Sequence, residues 1–119
     1  MNTILRLAET RRSLSVVDDQ IGSPTYAGHL SQAAIIAAET LGSLIQPESG
    51  TYHVSGSGIT ASWASFATNI FSEARNLMKH DVTVLPIKTS EFPTPAPRPA
   101  YSVMDFTQFE QRFNFILPT

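Results

Sequence analysis

Four prolines alternate with other residues in the stretch EFPTPAPRPAYSVMD, which covers residues 91–105. Proline fixes the backbone angle φ and lacks an N–H group, so this stretch can form neither a helix nor a central strand. We therefore expect it to run extended, close to the polyproline II conformation, and to be stiff before anything binds to it. Its middle holds one arginine, Arg98. Such a stretch serves as a rigid linker, as a ligand for an aromatic groove or as the wall of a pocket.

The composition indicates a folded protein with part of its surface covered. Hydrophobic residues make up 42% of the 119 residues, which excludes a disordered chain. Charged residues make up only 15%, against about 25% in ordinary globular proteins. So few charges predict that a further domain or a partner covers part of the surface.

Charge and cysteine content exclude several classes of function. The formal net charge is −2 and Arg11-Arg12 is the only basic doublet, so we expect no nucleic acid partner. The chain has no cysteine, which excludes disulfides and thiolate metal sites. No apolar run has the length of a membrane span, and the start of the chain does not resemble a secretory signal. The sequence therefore predicts a cytoplasmic protein without a membrane segment.

Helical and strand patterns alternate along the chain. Helices are predicted up to about residue 12, at about 27–45, at about 63–78 and after Asp105. The predicted strands are SLSVVDD, TYHVS and VTVLPI. Strands that alternate with helices predict an α/β fold with parallel strand pairing. Three strands make a small sheet and the chain opens on a helix, so we expect the fold to be incomplete as a stand-alone unit.

The segment GSGITA, residues 56–61, matches the glycine pattern of a dinucleotide-binding turn between a strand and a helix. Trp63 follows it in the first helical turn. A dinucleotide-binding turn needs the helix to pack closely on the strand there, and a bulky side chain conflicts with that packing. No strand ending in an acidic residue follows about 20 residues further on. We interpret the segment as a flexible strand-to-helix turn and assign no residue of this chain to cofactor binding.

Other chemical motifs are absent or better explained by structure. The three tyrosines are followed four positions later by leucine, glycine and aspartate, whereas a short-chain dehydrogenase places a lysine there for proton transfer. We therefore assign no catalytic residue. The three histidines lack the spacing of zinc ligands. Asp18 and Asp19 would point to opposite faces of a strand, so a turn at the strand end is favoured over a metal or acid–base pair.

Arg98 is the best single candidate for a functional residue. A planar guanidinium suits bidentate phosphate binding, and the neighbouring prolines leave its backbone little entropy to lose on binding. The alternative is a solvated loop arginine, which is the usual state of this residue type. Trp63, the only tryptophan, either stacks on a base or sugar or lies buried in the core.

Three stretches together resemble one family. In order and spacing, SVVDDQIGSPTYA, GTYHVSGSGITASWASFATNIF and EFPTPAPRPAYSVMD are similar to the carboxy-terminal part of the dTDP-4-dehydrorhamnose reductases, which are extended short-chain dehydrogenases. The resemblance covers almost the whole chain, and the combination D-D-Q-x-G-S-P-T with P-T-P-A-x-R-P-x-Y-S is specific. It implies that residues 1–61 are the late part of a Rossmann-type domain, with VVDDQ and TYHVS as strands of its sheet. Residues 62–119 would be mostly a small nucleotide-sugar-binding domain, with some strand exchange between the two.

The resemblance also implies roles for individual residues. Arg98 would grip the diphosphate of a dTDP-sugar, and the proline stretch would be the pocket wall that presents it. The other residues implied in substrate binding are Gln20, Thr25, Trp63 and Tyr101. Some members carry an acidic side chain at a subunit contact that can hold magnesium. Gly28 and His29 stand at those positions here, so we assign no metal ligand.

By this resemblance the chain is expected to be a fragment of an NADPH-dependent reductase that converts dTDP-4-dehydrorhamnose to dTDP-L-rhamnose for cell-wall polysaccharide. The full-length parent would be a homodimer. The cofactor loop and the Tyr-x-x-x-Lys pair of the family would lie upstream of Met1, so the chain alone is expected neither to bind NADPH nor to be active. One alternative is a non-catalytic module that binds a partner enzyme, as in the regulatory subunit of methionine adenosyltransferase, which resembles the same reductases. Another is a truncated reading frame without function.

Overall fold

The chain divides into two compact units, each built from two separate stretches of sequence. The computed structural model describes residues 2–44 and 49–118. The first unit contains Met1–Gly22 and Ala61–Ser102, and the second contains Ser23–Thr60 and Val103–Thr119. The assignment of residues 1–61 to a Rossmann-type domain and of residues 62–119 to a nucleotide-sugar-binding domain stays a prediction.

Helices and strands are short and follow the predicted alternation. The helices are α1 (Asn2–Ala8), α2 (Ala27–Gly42), α3 (Trp63–Glu73) and α4 (Thr107–Phe113), with short 3-10 helices at Arg75–Leu77 and Thr89–Glu91. The strands are β1 (Ser13–Val17), β2 (Ile21–Gly22), β3 (Ala61–Ser62) and β4 (Thr83–Ile87). The predicted α/β class is confirmed. The predicted end of the second helix at residue 45 lies outside the described residues.

The core of the first unit lies on one face of a parallel sheet. β1 and β4 pair in parallel, with Ser13 opposite Thr83 and Val17 opposite Ile87, which confirms the predicted parallel pairing. The crossover between them contains α3, as a parallel connection requires. A buried cluster joins the sheet to α1 and α3, and its members are Ala8, Leu14, Ile70 and Phe71.

Helix α3 is amphipathic and is capped by the residue before it. Its buried residues are spaced for one helix face and are Ala64, Ala67, Ile70 and Phe71. The Ser62 hydroxyl accepts a hydrogen bond from the Ser65 N–H at 3.0 Å, which satisfies one of the free donors of the first turn. The helix ends at Glu73 and continues only as the 3-10 turn Arg75–Leu77, so it is shorter than predicted.

The core of the second unit joins α2 to α4 and to the chain end. Its buried members are Ala33, Phe109, Phe113 and Leu117. Asp105 precedes α4, and its carboxylate accepts a hydrogen bond from the Thr107 N–H at 2.9 Å. The helix ends at Phe113 and is capped by Asn114, whose φ of 46° is left-handed, a conformation that asparagine tolerates better than most residues.

The predicted strand at TYHVS is wrong, because residues 49–60 form no helix and no strand. Tyr52 and Val54 instead pack on the core of the second unit, and the Tyr52 ring meets the Phe113 ring edge-on with centroids 5.1 Å apart. A loop whose side chains pack inward at every second position shows the same alternation of apolar and polar residues as a strand. The described part of this unit contains no strand with which the segment could pair.

Candidate functional site

The candidate site of the first unit is organised around residues 18–22, which we call the DDQIG segment. This segment directly follows the last residue of β1. The Asp18 N–H donates to the Ile87 carbonyl at 2.9 Å, so the pairing of β1 with β4 continues to the carboxyl end of both strands. In open α/β sheets, ligands bind at this edge of the sheet.

One side of the DDQIG segment pairs with the residues that precede α3. β2 and β3 are antiparallel, with Ile21 opposite Ser62 and Gly22 opposite Ala61. This pairing places Trp63, the first residue of α3, beside the segment. The Trp63 side chain is 52% exposed. The alternative that it lies buried in the core is therefore wrong.

The other side of the DDQIG segment pairs with the end of the proline stretch. Ile21 forms a parallel bridge with Tyr101. The Ile21 N–H donates to the Ala100 carbonyl at 2.8 Å, and the Ser102 N–H donates to the Ile21 carbonyl at 2.9 Å. Because neighbouring strands lie about 4.8 Å apart, Ser62 and Tyr101 are separated by about two such spacings. Two exposed aromatic residues, Trp63 and Tyr101, thus flank the same segment.

Residues 92–99, which we call the proline loop, leave the 3-10 helix Thr89–Glu91 and return to β2. As predicted, they form neither helix nor paired strand, and all of them are exposed. They do not form a straight rod, because the chain bends at Pro95 and Ala96. The Thr94 hydroxyl supports this bend by donating to the Ala96 carbonyl at 2.8 Å.

Arg98 lies near the end of the proline loop and is exposed. Within residues 2–44 and 49–118 it has neither a salt bridge nor a side-chain hydrogen bond, whereas Arg75 pairs with Asp81 at 3.4 Å. An arginine held on a stiff backbone without a carboxylate partner has its five N–H donors available for an incoming anion.

The two remaining candidates lie in different units. Gln20 is half-buried in the first unit, and its Nε2 donates to the Thr89 hydroxyl at 3.0 Å. Thr25 belongs to the second unit, where its hydroxyl donates to the Ser23 carbonyl at 3.0 Å and accepts from the Gly56 N–H at 2.9 Å. The structure therefore brings Gln20, Trp63 and Tyr101 to the DDQIG segment, with Arg98 on the adjoining loop.

Sequence reasoning did not assign a role to the two aspartates of the DDQIG segment. The Asp18 carboxylate accepts the Ser62 hydroxyl at 2.5 Å. The Asp19 carboxylate accepts both the N–H and the hydroxyl of Thr89, at 2.9 and 2.5 Å. Because the two carboxylates bind different elements, they do not act as a pair. Both aspartates lie at the carboxyl end of a predicted parallel strand, where α/β sheets bind their ligands, so this position could have indicated them as site residues.

These hydrogen bonds keep the Asp19 carboxylate ionised. The hydroxyl of Thr89, followed by its backbone N–H, lowers the pKa of Asp19 below its ordinary value of 3.8. The hydroxyl of Thr107, followed by its N–H, lowers the pKa of Asp105 in the same way. Both carboxylates therefore serve as acceptors for backbone and hydroxyl groups.

The GSGITA segment does not fit a dinucleotide. No strand precedes Gly56, since residues 49–55 have no regular structure, and the Gly56 N–H that would face a pyrophosphate is bound to Thr25. A Cβ at Gly56 would lie 2.7 Å from the Pro24 carbonyl oxygen, so glycine is needed here for close backbone packing. The segment is thus a turn, although no strand leads into it.

The described residues form neither a candidate metal site nor a helix that could span a membrane. They contain no group of three or more His, Asp or Glu side chains that could hold a metal ion. None of the helices described is long and apolar enough to cross a membrane.

The fold and the candidate site together define an α/β unit in which exposed Trp63 and Tyr101 flank the DDQIG segment and Arg98 lies on the adjoining loop. The comparison with known families agrees. Residues 1–119 match the family model described as RmlD substrate binding domain. The chain belongs to this family.

Individual relatives are similar over nearly the whole chain. A dTDP-4-dehydrorhamnose reductase of Sinorhizobium fredii is 42% identical over 97% of the chain and 39% of the relative. The spore coat polysaccharide biosynthesis protein SpsK of Bacillus subtilis is 42% identical over 93% of the chain and 35% of that protein. The chain therefore spans less than half the length of these relatives.

A solved structure agrees with both the sequence and the fold. The dTDP-4-dehydrorhamnose reductase of Bacillus anthracis, solved in complex with NADP, is 38% identical and superposes with a TM-score of 0.84. The match covers 99% of this chain and 38% of that protein. The predicted resemblance to the dTDP-4-dehydrorhamnose reductases is confirmed by these matches.

Proposed function

We propose that the chain supplies part of the dTDP-sugar site of an NADPH-dependent reductase that converts dTDP-4-dehydrorhamnose to dTDP-L-rhamnose. The observation that carries the proposal is the exposed Arg98 without a carboxylate partner within the described residues, on a proline loop that returns at Tyr101 to the DDQIG segment, whose other side pairs with the residue before Trp63. A guanidinium can bind two phosphate oxygens at once, and the aromatic rings offer flat surfaces to a base or sugar.

In this proposal the chain binds substrate and leaves the chemistry to other parts of the protein. Its three tyrosines lack a lysine four positions on, and its GSGITA turn has its first N–H already bound. When bound to the whole protein, NADPH would supply the hydride. The family resemblance alone supports the further expectations of a homodimer and a cytoplasmic location. Thr25 stays a predicted substrate residue on the same ground.

Binding of dTDP to the chain and to its Arg98→Ala variant, measured by calorimetry, tests the proposal. Loss of charge-assisted hydrogen bonds worth about 1.5–3 kcal/mol each should weaken dTDP binding about tenfold or more. Arg98→Lys should restore binding only in part, because an ammonium keeps the charge but loses the planar fork. Thymidine, which lacks the diphosphate, should lose much less affinity.

Arg75→Ala is the matched control, because Arg75 is an exposed arginine of the same unit whose guanidinium already pairs with Asp81. It should leave dTDP binding unchanged. The proposal is wrong if the unaltered chain does not bind dTDP, or if Arg98→Ala binds it as tightly as the unaltered chain.

A further inference from the structure

The 3-10 helix from which the proline loop starts is anchored through its first residue, Thr89. Thr89 donates its N–H to both oxygens of the Asp19 carboxylate, at 2.9 and 3.0 Å, and its hydroxyl to Oδ1 at 2.5 Å. The same hydroxyl accepts the Gln20 Nε2–H at 3.0 Å. Every donor and acceptor of Thr89 that faces the DDQIG segment is therefore engaged.

The end of the proline loop is anchored to the same segment. The Ile21 N–H and carbonyl bind the backbone of Ala100 and Ser102 at 2.8 and 2.9 Å. A Cβ at Gly22 would lie 3.1 Å from the Ser102 hydroxyl oxygen, so the returning chain passes close to the backbone. Asp19 and Ile21 are two residues apart and hold opposite ends of the loop.

The position of Arg98 therefore depends on the two anchors. The alternating prolines remove most of the backbone freedom of the loop. If the start of the loop moves, rotation about its backbone bonds cannot compensate, so Arg98 moves as well. Within the described residues, no salt bridge or side-chain hydrogen bond of Arg98 itself fixes it independently. The end anchor consists of backbone hydrogen bonds, whereas the start anchor depends on side chains, with Asp19 accepting three hydrogen bonds from Thr89 and Gln20 donating one to it.

We propose that Asp19 is a positioning residue for the candidate site: by binding Thr89 it fixes the start of the proline loop and so places Arg98 for a diphosphate. This inference rests on the proposed function. Asp19 itself does not touch the ligand in this arrangement. Asparagine at this position keeps Oδ1, which can still accept from Thr89, but it loses the negative charge and the second acceptor oxygen, so the anchor is weakened.

Trypsin cleavage tests the anchor without any ligand. The bond between Lys88 and Thr89 lies at the anchor, and the bond after Lys79 is an internal reference in the same unit. Asp19→Asn should raise the rate of cleavage after Lys88 relative to that after Lys79. Glu9→Gln, which changes an exposed carboxylate of the same unit far in sequence from both bonds, should leave the ratio unchanged. An unchanged ratio in Asp19→Asn overturns the proposal.

A double-mutant cycle on dTDP binding tests the link to Arg98. Asp19→Asn should weaken dTDP binding about threefold or more, and should have little effect when Arg98 is already alanine, because residues that act through one another are not additive. Thr89→Val removes the hydroxyl from the other partner of the anchor and should act in the same direction. It also covers the case in which Asp19→Asn does not fold, which circular dichroism would show.

The outcomes separate this inference from the proposed function. If Arg98→Ala weakens dTDP binding and Asp19→Asn weakens it equally with and without Arg98, only the positioning role of Asp19 is wrong. If the unaltered chain does not bind dTDP, or if Arg98→Ala has no effect, the proposed function and this inference both fail.

Discussion

Two exposed carboxylates each accept hydrogen bonds from one threonine: Asp19 accepts from the N–H and the hydroxyl of Thr89, and Asp105 accepts from the N–H of Thr107. These bonds favour the ionised form, so both groups bind a proton less readily in the folded state than in the unfolded state. A carboxylate with a lowered folded-state pKa contributes its full stability above the unfolded-state pKa, near 3.8. That contribution is lost as the pH falls through the lower folded-state value.

The free energy of unfolding should therefore decrease below about pH 4 more steeply for the unaltered chain than for the double variant Asp19→Asn and Asp105→Asn. Urea unfolding followed by circular dichroism between pH 3 and 6, a range chosen to bracket the carboxylate pKa values, measures both slopes. Thr89→Val, which removes the donor with the largest effect on Asp19, should show an intermediate slope. Parallel curves for all three proteins would contradict the role of these bonds.

At the scale of elements, the start of α3 links the helix to the DDQIG segment. Ser62 is only 5% exposed; its hydroxyl caps the helix by accepting from the Ser65 N–H and also donates to the Asp18 carboxylate. Two structural elements therefore depend on one hydroxyl. Because Trp63 directly follows Ser62, the same hydroxyl helps to fix where that exposed ring lies.

Ser62→Ala should lower the free energy of unfolding by about 2 kcal/mol, because it removes a helix cap and a hydrogen bond to a charged group. Ser72→Ala is the control, since Ser72 is exposed on the same helix and a surface change of this kind stays within about 0.5 kcal/mol. Denaturant unfolding compares the two variants. Equal stabilities would show that the Ser62 hydroxyl is not structurally important.

The elements that the sequence predicted well are those whose pattern is local. β1, β4 and the helices carry a clear strand or helix period, and each was found close to its predicted position. β2 and β3 are two residues long, too short for any period, so their pairing was not predictable. TYHVS carries a strand period for a different reason, because Tyr52 and Val54 pack on a core as parts of a loop.

The candidate site likewise contains residues that the local sequence indicated and contacts that it did not. Arg98 and Trp63 were singled out from residue chemistry and from their local surroundings, and the exposure of Trp63 supports a binding role over the core. The anchor was not predictable, because Asp19 and Thr89 are 70 residues apart in sequence. Their contact arises only when the parallel pairing of β1 and β4 brings the two carboxyl ends together.

At the scale of the whole molecule, helices pack on one face of the sheet of the first unit, and the other face carries exposed residues within the described part of the chain. Leu14 is buried against the helices, whereas Leu85 on β4 is 46% exposed and Ser15 is exposed as well. Parallel sheets in proteins are normally covered on both faces. This open face agrees with the low charge content of the chain, which predicted that part of its surface is covered by something else.

The chain alone should not oxidise NADPH in the presence of dTDP-4-dehydrorhamnose, whereas a hybrid reductase that contains it should. None of its tyrosines has a lysine four positions on, so it lacks the acid that would protonate the reduced carbonyl. The hybrid replaces the matching 39% of the Sinorhizobium fredii reductase, and NADPH absorbance reports turnover of both proteins. In the hybrid, Arg98→Ala should lower kcat/KM by about tenfold or more, and Arg75→Ala should not, because in the proposed site Arg98 binds the diphosphate whereas Arg75 pairs with Asp81. Turnover by the isolated chain above a no-protein control would show that catalytic groups have been overlooked. A folded hybrid that binds NADPH without turning over would remove the chain from this reaction.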